Sequence, residues 1–322
     1  MEYVQLKNTD MRVSRFCMGG CPMGGFGWGE TKEQDFLNAI HTALDKGVNY
    51  FDTADTYGLG QSERTLAKGL GSQRKNVVIQ SKFGVRVHRG VHGQTIIDNS
   101  PEYIREALHG TLRRLKTDYI DIYVVHYWDQ KTSVEIIVDE LKRLRQEGKI
   151  RYFGISNICD AHIDLWTPYK GDFVSGQYEF SLACRSHEDE IKHAVNDLGI
   201  SPLTWGSLGQ GILSGKYNRD NVDFGSDDRR SRAAYVNFHG EKLEHNLRIV
   251  DKLRKLADSN QKSVASCAVR FILDYFADSV VIVGIKNVDQ LMSNLEAMDW
   301  HLSKEELEML DHISLEIKEN AI

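Results

Sequence analysis

Residues 101–125 have the sequence PEYIREALHGTLRRLKTDYIDIYVV. Proline is favoured at the first position of a helix, and after Pro101 the apolar residues recur at helical spacing through residue 115. The run at 119–125 is short and rich in Ile, Tyr and Val, which is typical of a buried strand. This stretch therefore predicts one helix followed by one strand.

The same alternation extends along the whole chain. Short runs rich in Val, Ile, Tyr and Phe alternate with longer amphipathic segments, which indicates parallel strands joined by crossover helices. Repeated over 322 residues, this pattern favours an α/β fold of the closed (β/α)8 TIM-barrel type, in one domain covering residues 1–322. The predicted strands are residues 16–19, 48–51, 77–81, 119–125, 152–155, 174–177, 202–205 and 280–283. The predicted helices include residues 31–46, 62–70, 101–115, 134–147, 188–198 and 263–276, and we expect further helices at the C-terminus.

Two segments lie outside this repeat. At the N-terminus, Asn8-Thr9-Asp10 separates two alternating arms, which predicts a β-hairpin that plugs one end of the barrel. Residues 217–238 form the longest irregular segment. They are either a mobile loop that folds over a bound ligand or a solvated connection, and they include Asp227, Asp228, Arg229, Arg230 and Arg232.

Composition restricts the class of partner. The formal net charge of -6 provides no basic face, which argues against nucleic acid and anionic membranes. The five cysteines are scattered without a CxxC pair, which favours a reducing, cytoplasmic compartment. No signal region or long apolar window is present, so we expect neither secretion nor a membrane span. A small-molecule partner remains, and the sequence carries no indication of oligomeric state.

Four polar residues follow the predicted strands, at the barrel end where such folds place their chemistry. Asp52 and Tyr57 come after the second strand, Lys82 after the third and His126 after the fourth. Burial and mutual proximity at such positions shift pKa values. Taken singly, Asp52 could cap a helix, Lys82 could be a surface residue and His126 could be a core histidine with satisfied hydrogen bonds.

These residues lie within longer motifs that follow one another in a fixed order. Together the motifs resemble the aldo-keto reductase family, and the resemblance extends nearly from end to end. The matching segments are residues 47–58 (GVNYFDTADTYG) with Ser62-Glu63, Ser81-Lys82, residues 118–123 (DYIDIY) leading to His126, residues 148–157 (GKIRYFGISN), Gln177-Tyr178 and residues 208–216 (LGQGILSGK).

The resemblance implies an oxidoreductase that performs carbonyl reduction, or the reverse reaction, with a catalytic set of Asp52, Tyr57, Lys82 and His126. Tyr57 would be the general acid or base. Lys82 would stabilise its tyrosinate form, and Asp52 would hold Lys82 and balance its charge. His126 would hydrogen-bond the substrate oxygen and orient it.

The resemblance also implies a nicotinamide cofactor lying extended across the barrel mouth. No GxGxxG fingerprint is present, so a Rossmann domain is not indicated. Ser156, Asn157 and Gln177 would hydrogen-bond the nicotinamide amide, and Trp205 would stack on its ring, with ordinary core packing as the alternative. The full set of expected cofactor residues is Gly20, Cys21, Pro22, Asp52, Ser156, Asn157, Gln177, Trp205, Gly206, Leu208, Gly209, Gln210, Gly211, Lys216, Gly284, Lys286, Gln290 and Asn294.

The choice between NADP(H) and NAD(H) depends on residues 284–291 and Asn294, which resemble the family's segment for the adenosine end of the cofactor. Lys286 alone could pair with a 2′-phosphate, and an arginine often seen in the family near Asn287 or Gln290 is absent. A lysine acts there as a point charge and lacks the bidentate contact of an arginine. We therefore expect NADP(H), with NAD(H) as the alternative.

The substrate pocket departs from the family pattern after His126, where Tyr127-Trp128-Asp129 follows. We expect Trp28 and Trp128 to contact substrate together with Tyr57 and His126, since flat aromatic faces suit sugars or aryl aldehydes. A nucleotide-sensing subunit, similar to the accessory subunits of potassium channels, is the alternative function. A metal-dependent barrel enzyme needs a His/Asp/Glu ligand set that these strand ends lack, so no metal is predicted.

Overall fold

A computed structural model of the protein describes residues 1–25, 27–87, 95–222, 224–225 and 228–315. In this part of the chain, eight parallel strands close into a barrel, and consecutive barrel strands are neighbours around the ring. Numbered along the chain, the strands are β1 (Tyr3–Gln5), β2 (Arg12–Ser14), β3 (Phe16–Gly19), β4 (Tyr50–Asp52), β5 (Val78–Phe83), β6 (Val85–Val87), β7 (Thr95–Ile97), β8 (Ile120–Val125), β9 (Ile150–Ser156), β10 (Phe173–Glu179), β11 (Ser201–Trp205) and β12 (Val280–Gly284). The predicted TIM barrel is confirmed.

The helices that cover the barrel begin where the sequence supplies caps. Ser100, Ser133 and Ser263 each accept a hydrogen bond from a backbone N–H in the first turn of the following helix, which satisfies a donor that would otherwise lack a partner. The helices are α1 (Glu33–Asp45), α2 (Gln61–Leu70), α3 (Pro101–Leu115), α4 (Val134–Gln146), α5 (Asp160–Ile163), α6 (Glu188–Leu198), α7 (Gly240–Asn260), α8 (Val264–Tyr275), α9 (Val288–Leu295) and α10 (Lys304–Leu315). The helices α9 and α10 are the expected C-terminal additions.

Apolar side chains pack in two layers. The larger cluster lies between the barrel and its helices, and a smaller one fills the barrel interior. Strands β1 and β2 pair antiparallel, as predicted, and Leu6, Met11 and Val13 from this hairpin join the interior cluster. The N–H of Lys7 donates to Ser201 Oγ at the start of β11, and the Asn8 amide donates to the Gly199 carbonyl just before it, so the hairpin closes the amino-terminal end of the barrel. The opposite end is therefore the one open to ligands.

Three features were not predicted from the sequence. The antiparallel ribbon of β6 and β7 lies beside the barrel sheet, and α7 is a helix of 21 residues. The segment 217–238 contains two short 3-10 turns, Arg229–Ser231 and Val236–Phe238, and its residue Asp227 lies outside the described residues. Among the helices that the structure describes, none is both long and apolar enough to span a membrane.

Candidate active site

A cavity of about 690 Å³ lies at the carboxyl ends of the barrel strands. Most of the residues predicted for catalysis, cofactor and substrate lie on its wall. They are Cys21, Pro22, Trp28, Asp52, Tyr57, Lys82, His126, Ser156, Asn157, Gln177, Trp205, Gly206, Leu208, Gln210, Gly211, Lys216, Gly284, Lys286, Gln290 and Asn294.

Asp52, Lys82 and Tyr57 converge at the floor of this cavity. Asp52 is the last residue of β4, and Lys82 projects from the neighbouring strand β5. The Lys82 ammonium donates to Asp52 Oδ1 at 2.5 Å, to the Thr53 carbonyl at 2.9 Å and to the Tyr57 hydroxyl at 3.2 Å. The single cation thus connects the buried carboxylate with the phenol.

The pKa of Tyr57 reflects its burial, while the expected stabilisation of its tyrosinate form by Lys82 stays a prediction. Burial raises the pKa of Tyr57 well above its ordinary value, and the negative charge of Asp52 adds to the increase. Burial also raises the pKa of the Asp52 carboxyl, against the opposing effect of the Lys82 cation. Because Asp52 balances the charge of Lys82, burial dominates at Tyr57. The residue is therefore a protonated phenol, the form that a proton donor needs.

His126 lies directly after β8 and faces Tyr57, with ring centroids 6.2 Å apart. Burial, with a smaller contribution from Lys82, lowers the pKa of His126 to about 3. Its Nδ1 is buried and has no hydrogen-bond partner among the described residues. The ring is thus neutral at neutral pH, and His126 lies on the cavity wall.

Ser156, Asn157, Gln177 and Trp205 form one hydrogen-bonded group on the wall. The amide of Asn157 donates to the His126 carbonyl at 3.1 Å, and its Oδ1 accepts from the indole N–H of Trp205 at 3.3 Å. Ser156 Oγ donates to the Gln177 carbonyl at 3.2 Å. These contacts hold the polar groups in fixed orientations beside His126.

Two predicted glycines lie behind the wall and not on it. The N–H of Gly20 donates to the Asp52 carbonyl at 2.7 Å, and a Cβ at Gly20 would lie 2.5 Å from Ser62 Oγ. Gly209 has a φ of +54°, and a Cβ there would lie 2.8 Å from the Ala183 side chain. Both positions need glycine because the backbone approaches its neighbours closely. Their role in the site is to shape the loops that carry Cys21 and Gln210.

The segment 206–211, which holds several of the expected cofactor residues, contains left-handed backbone. Gly206, Gln210 and Gly211 have φ values of +69°, +56° and +107°, in the left-handed region. The Gln210 amide donates to Glu179 Oε1 at 2.8 Å, which anchors the segment to β10. The loop thereby presents Leu208, Gln210 and Gly211 to the cavity.

At the other end of the cavity, Lys216, Arg230 and Lys286 form a basic cluster. Burial lowers the pKa of Lys286, and the nearby charges of Arg230 and Lys216 lower it further. The Lys286 ammonium donates to the Trp28 carbonyl, and the Arg230 guanidinium forms an ion pair with Asp228. Arg230 thus brings an arginine from the irregular segment 217–238 to the same end of the cavity as Lys286.

Arg230 belongs to a larger group that sequence reasoning missed. Several of these residues lie in irregular backbone, where no periodicity or motif indicates which side chains face a ligand. The missed wall residues are Gly19, Tyr127, Ser207, Ser214, Tyr217, Arg229, Arg230, Tyr235, Ala265, Ile282, Val283, Asp289 and Ser293.

The two tryptophans expected at the substrate differ in position. Trp28 lies on the cavity wall and packs edge-on against Tyr235. Trp128 does not line the cavity. Its indole N–H donates to the Thr132 carbonyl at 2.8 Å, and its ring packs against Trp166. Because the side chain is held on the helical side, the expected substrate contact of Trp128 is corrected to a packing role.

Comparison with known proteins identifies the family. The sequence model described as "Aldo/keto reductase family" matches residues 16–315. The chain belongs to the aldo/keto reductase family. Members of this family are oxidoreductases that act on carbonyl compounds with nicotinamide cofactors.

Individual relatives extend over almost the whole chain. The aldo-keto reductase YhdN of Bacillus subtilis (strain 168) is 32% identical over 309 residues, which cover 95% of this chain and 91% of the relative. The solved glycerol dehydrogenase of Gluconobacter oxydans is 30% identical with a TM-score of 0.87, and the match covers 98% of this chain and 95% of that one. An aldo-keto reductase of Bacillus halodurans in its holo form is 25% identical with a TM-score of 0.79, covering 97% and 96%.

Metal ligation was the remaining question for this site. In the chain as far as the structure describes it, no three His, Cys, Asp or Glu side chains are grouped so that they could hold a metal ion.

Proposed function

We propose that the protein transfers a hydride between NADP(H) and an aldehyde or ketone, with Tyr57 as the proton donor, and catalyses the reverse reaction on the alcohol. The contact that supports this most directly is the placement of the Lys82 ammonium 3.2 Å from the Tyr57 hydroxyl and 2.5 Å from Asp52. Tyr57, His126 and the amide group of Asn157 line the same cavity, so one substrate could reach all three.

The proton chemistry follows from these residues. In the reducing direction Tyr57 would donate its proton to the substrate oxygen, while a bound nicotinamide would supply the hydride to the carbonyl carbon. The Lys82 cation stabilises the resulting tyrosinate until it recovers a proton from solvent. Neutral His126 donates a hydrogen bond to the substrate oxygen and fixes its angle.

The residues on the cavity wall fit a nicotinamide dinucleotide. Ser156, Asn157 and Gln177 offer amide and hydroxyl groups at the catalytic end, where a carboxamide would bind. The basic cluster of Lys216, Arg230 and Lys286 offers positive charge at the other end. Asp228 pairs with Arg230, but Lys216 and Lys286 add further positive charge, so the cluster favours a phosphorylated ribose and we place NADP(H) before NAD(H).

The likeness to glycerol dehydrogenase supports a second candidate for the direction of the reaction. An alcohol or polyol would bind with its hydroxyl at Tyr57, which then acts as the base. Because the pKa of Tyr57 is raised, oxidation would accelerate with increasing pH.

The irregular segment 217–238 contributes Tyr217, Arg229, Arg230 and Tyr235 to the wall. The backbone N–H of Arg229 donates to the Gly27 carbonyl at 3.1 Å, which joins this segment to the loop after β3. We propose that the segment covers the bound cofactor. Limited proteolysis with and without NADPH tests this, and equal cleavage of 217–238 in both conditions contradicts it.

The proposed function is tested by titrating the protein with NADPH and NADH side by side, followed by a panel of aldehydes, ketones, sugars and alcohols that includes glycerol. We expect tighter NADPH binding and turnover of at least one carbonyl substrate. Nucleotide binding without turnover of any substrate would contradict the proposed enzymatic activity and favour the alternative of a nucleotide-sensing subunit.

A further inference from the structure

Below the catalytic residues, two polar side chains lie inside the barrel. Tyr50 precedes Asp52 by two residues on β4, and Gln80 precedes Lys82 by two residues on β5. Because strand side chains alternate in direction, Tyr50 and Gln80 point into the same interior as Asp52 and Lys82, one layer deeper. Both are completely buried, among the apolar side chains that fill the barrel.

These two residues form a hydrogen-bonded chain that ends on the catalytic carboxylate. The Tyr50 hydroxyl donates to Gln80 Oε1 at 2.7 Å. The Gln80 amide in turn donates to Asp52 Oδ1 at 3.0 Å, on the same oxygen that accepts from Lys82. Gln177 makes a longer contact of 3.4 Å with that oxygen.

The direction of the chain is determined by chemistry. An ionised carboxylate only accepts hydrogen bonds, so the NH2 of Gln80 must face Asp52. Oε1 then faces Tyr50, and the phenol O–H is its donor. Without Tyr50 the amide loses the contact that prevents it from turning its oxygen towards the carboxylate.

We infer that Gln80, oriented by Tyr50, is a positioning residue for the Asp52–Lys82 pair, a role that rests on the proposed function of Lys82 beside Tyr57. Asp52 is almost fully buried, so each donor that it accepts from favours its charged form. Loss of the Gln80 donor makes protonation of Asp52 easier. A protonated Asp52 no longer holds the Lys82 cation in place for Tyr57.

Other ionisable groups also face Asp52. Lys82 is the one cation among them that contacts Asp52 directly, while the thiols and phenols are neutral because burial raises their pKa. These neutral groups are Cys17, Cys21, Tyr50 and Tyr57. The proton that responds to Gln80 is therefore the one on Asp52.

The test compares Gln80→Leu, Tyr50→Phe and the double variant by the pH profile of kcat/KM for reduction. Reduction requires ionised Asp52 and is lost as the pH falls through its pKa, so a higher pKa moves the acid limb upward. We expect a shift of about one pH unit for Gln80→Leu and a smaller shift for Tyr50→Phe, as the loss of one hydrogen bond to a charged group predicts. Tyr123→Phe is the matched control, because this buried phenol bonds to the Ile104 carbonyl away from the barrel interior.

The double variant separates positioning from simple packing. Gln80→Leu leaves the Tyr50 O–H buried without its acceptor, so removing that hydroxyl as well, in Tyr50→Phe/Gln80→Leu, should raise the unfolding temperature above that of Gln80→Leu. Its acid limb should nevertheless remain shifted. A double variant with restored stability and a wild-type pH profile overturns the inference.

A readout without substrate keeps this inference separate from the proposed function. The infrared band of the protonated carboxyl, assigned by its loss in Asp52→Asn, reports Asp52 protonation directly. We expect this band to appear at a pH about one unit higher in Gln80→Leu. If the infrared band is shifted in Gln80→Leu but the protein turns over no carbonyl, only the proposed function is contradicted. If turnover is normal and neither the band nor the acid limb of kcat/KM is shifted, the inference is overturned.

Discussion

The Lys82 ammonium lies 2.5 Å from Asp52 Oδ1, and both side chains are almost fully buried. Each charge lost its hydration when the barrel formed, so the ion pair and its surrounding hydrogen bonds replace water. Removing one member of the pair therefore leaves an uncompensated buried charge, whereas replacing both does not.

Removing one partner of this pair should be costly. We expect Lys82→Met to lower the free energy of unfolding by about 3–5 kcal/mol at pH 8, because it leaves Asp52 buried without its cation. The double variant Asp52→Leu/Lys82→Met should recover most of that loss. Urea denaturation measures the free energy of unfolding of both variants. Ordinary surface changes alter it by about 0.5 kcal/mol or less, so a Lys82→Met protein within that range of wild type would contradict the account.

Asp55, in the loop between Asp52 and Tyr57, makes the stability of the folded protein depend on pH. Burial, with a smaller contribution from Glu63, raises the pKa of Asp55 to about 7, and its Oδ1 has no hydrogen-bond partner among the described residues. The folded state therefore favours the protonated form, and stability is lost as the pH rises from about 4 through 7. Asp55→Asn should stabilise the protein at pH 8, by at most about 4 kcal/mol, and much less at pH 4. An equal effect at both pH values in thermal unfolding would exclude this explanation.

His126 should remain neutral over the working range of the protein, because burial lowers its pKa to about 3. The pH profile of reduction should therefore contain no limb due to imidazole between pH 5 and 8. NMR titration of the ring, assigned with His126→Asn, measures this directly. A midpoint near the ordinary histidine pKa of about 6.5 would show that the ring is not held neutral.

Lys286 should select between the two dinucleotides. Lys286→Ala is expected to weaken NADPH binding by about tenfold, the effect of losing one charge-assisted contact of roughly 1.4 kcal/mol, with a smaller effect on NADH. Lys286→Arg is the matched control that keeps the charge. Fluorescence titration with both dinucleotides gives the comparison, and equal weakening of NADPH and NADH would remove Lys286 from its assigned role.

The barrel could be predicted from the sequence because its signal is repeated. All eight barrel strands lie where short apolar runs predicted them, although β9 begins at Ile150 and β10 ends at Glu179, beyond the predicted bounds. Strand ends depend on pairing with neighbouring strands, which a single run does not encode. The ribbon of β6 and β7 was not predicted.

The candidate site was predictable where motifs lie at strand ends. Asp52, Lys82 and Tyr57 meet because parallel strands place their carboxyl ends at one rim. Arg230 and Trp128 show the limit of this approach. The position of Arg230 depends on how an irregular segment packs, and the orientation of Trp128 depends on its contacts with Thr132 and Trp166.

The most direct test of the central claim is a single-turnover experiment on Tyr57→Phe. The variant should bind NADPH as tightly as the wild type, because the hydroxyl is removed and the ring remains. Oxidation of bound NADPH by an aldehyde that the wild type reduces, followed by stopped-flow fluorescence, should slow by about 10²–10⁴-fold through loss of the proton donor. Reduction at the wild-type rate with NADPH binding intact would contradict the proposed role of Tyr57.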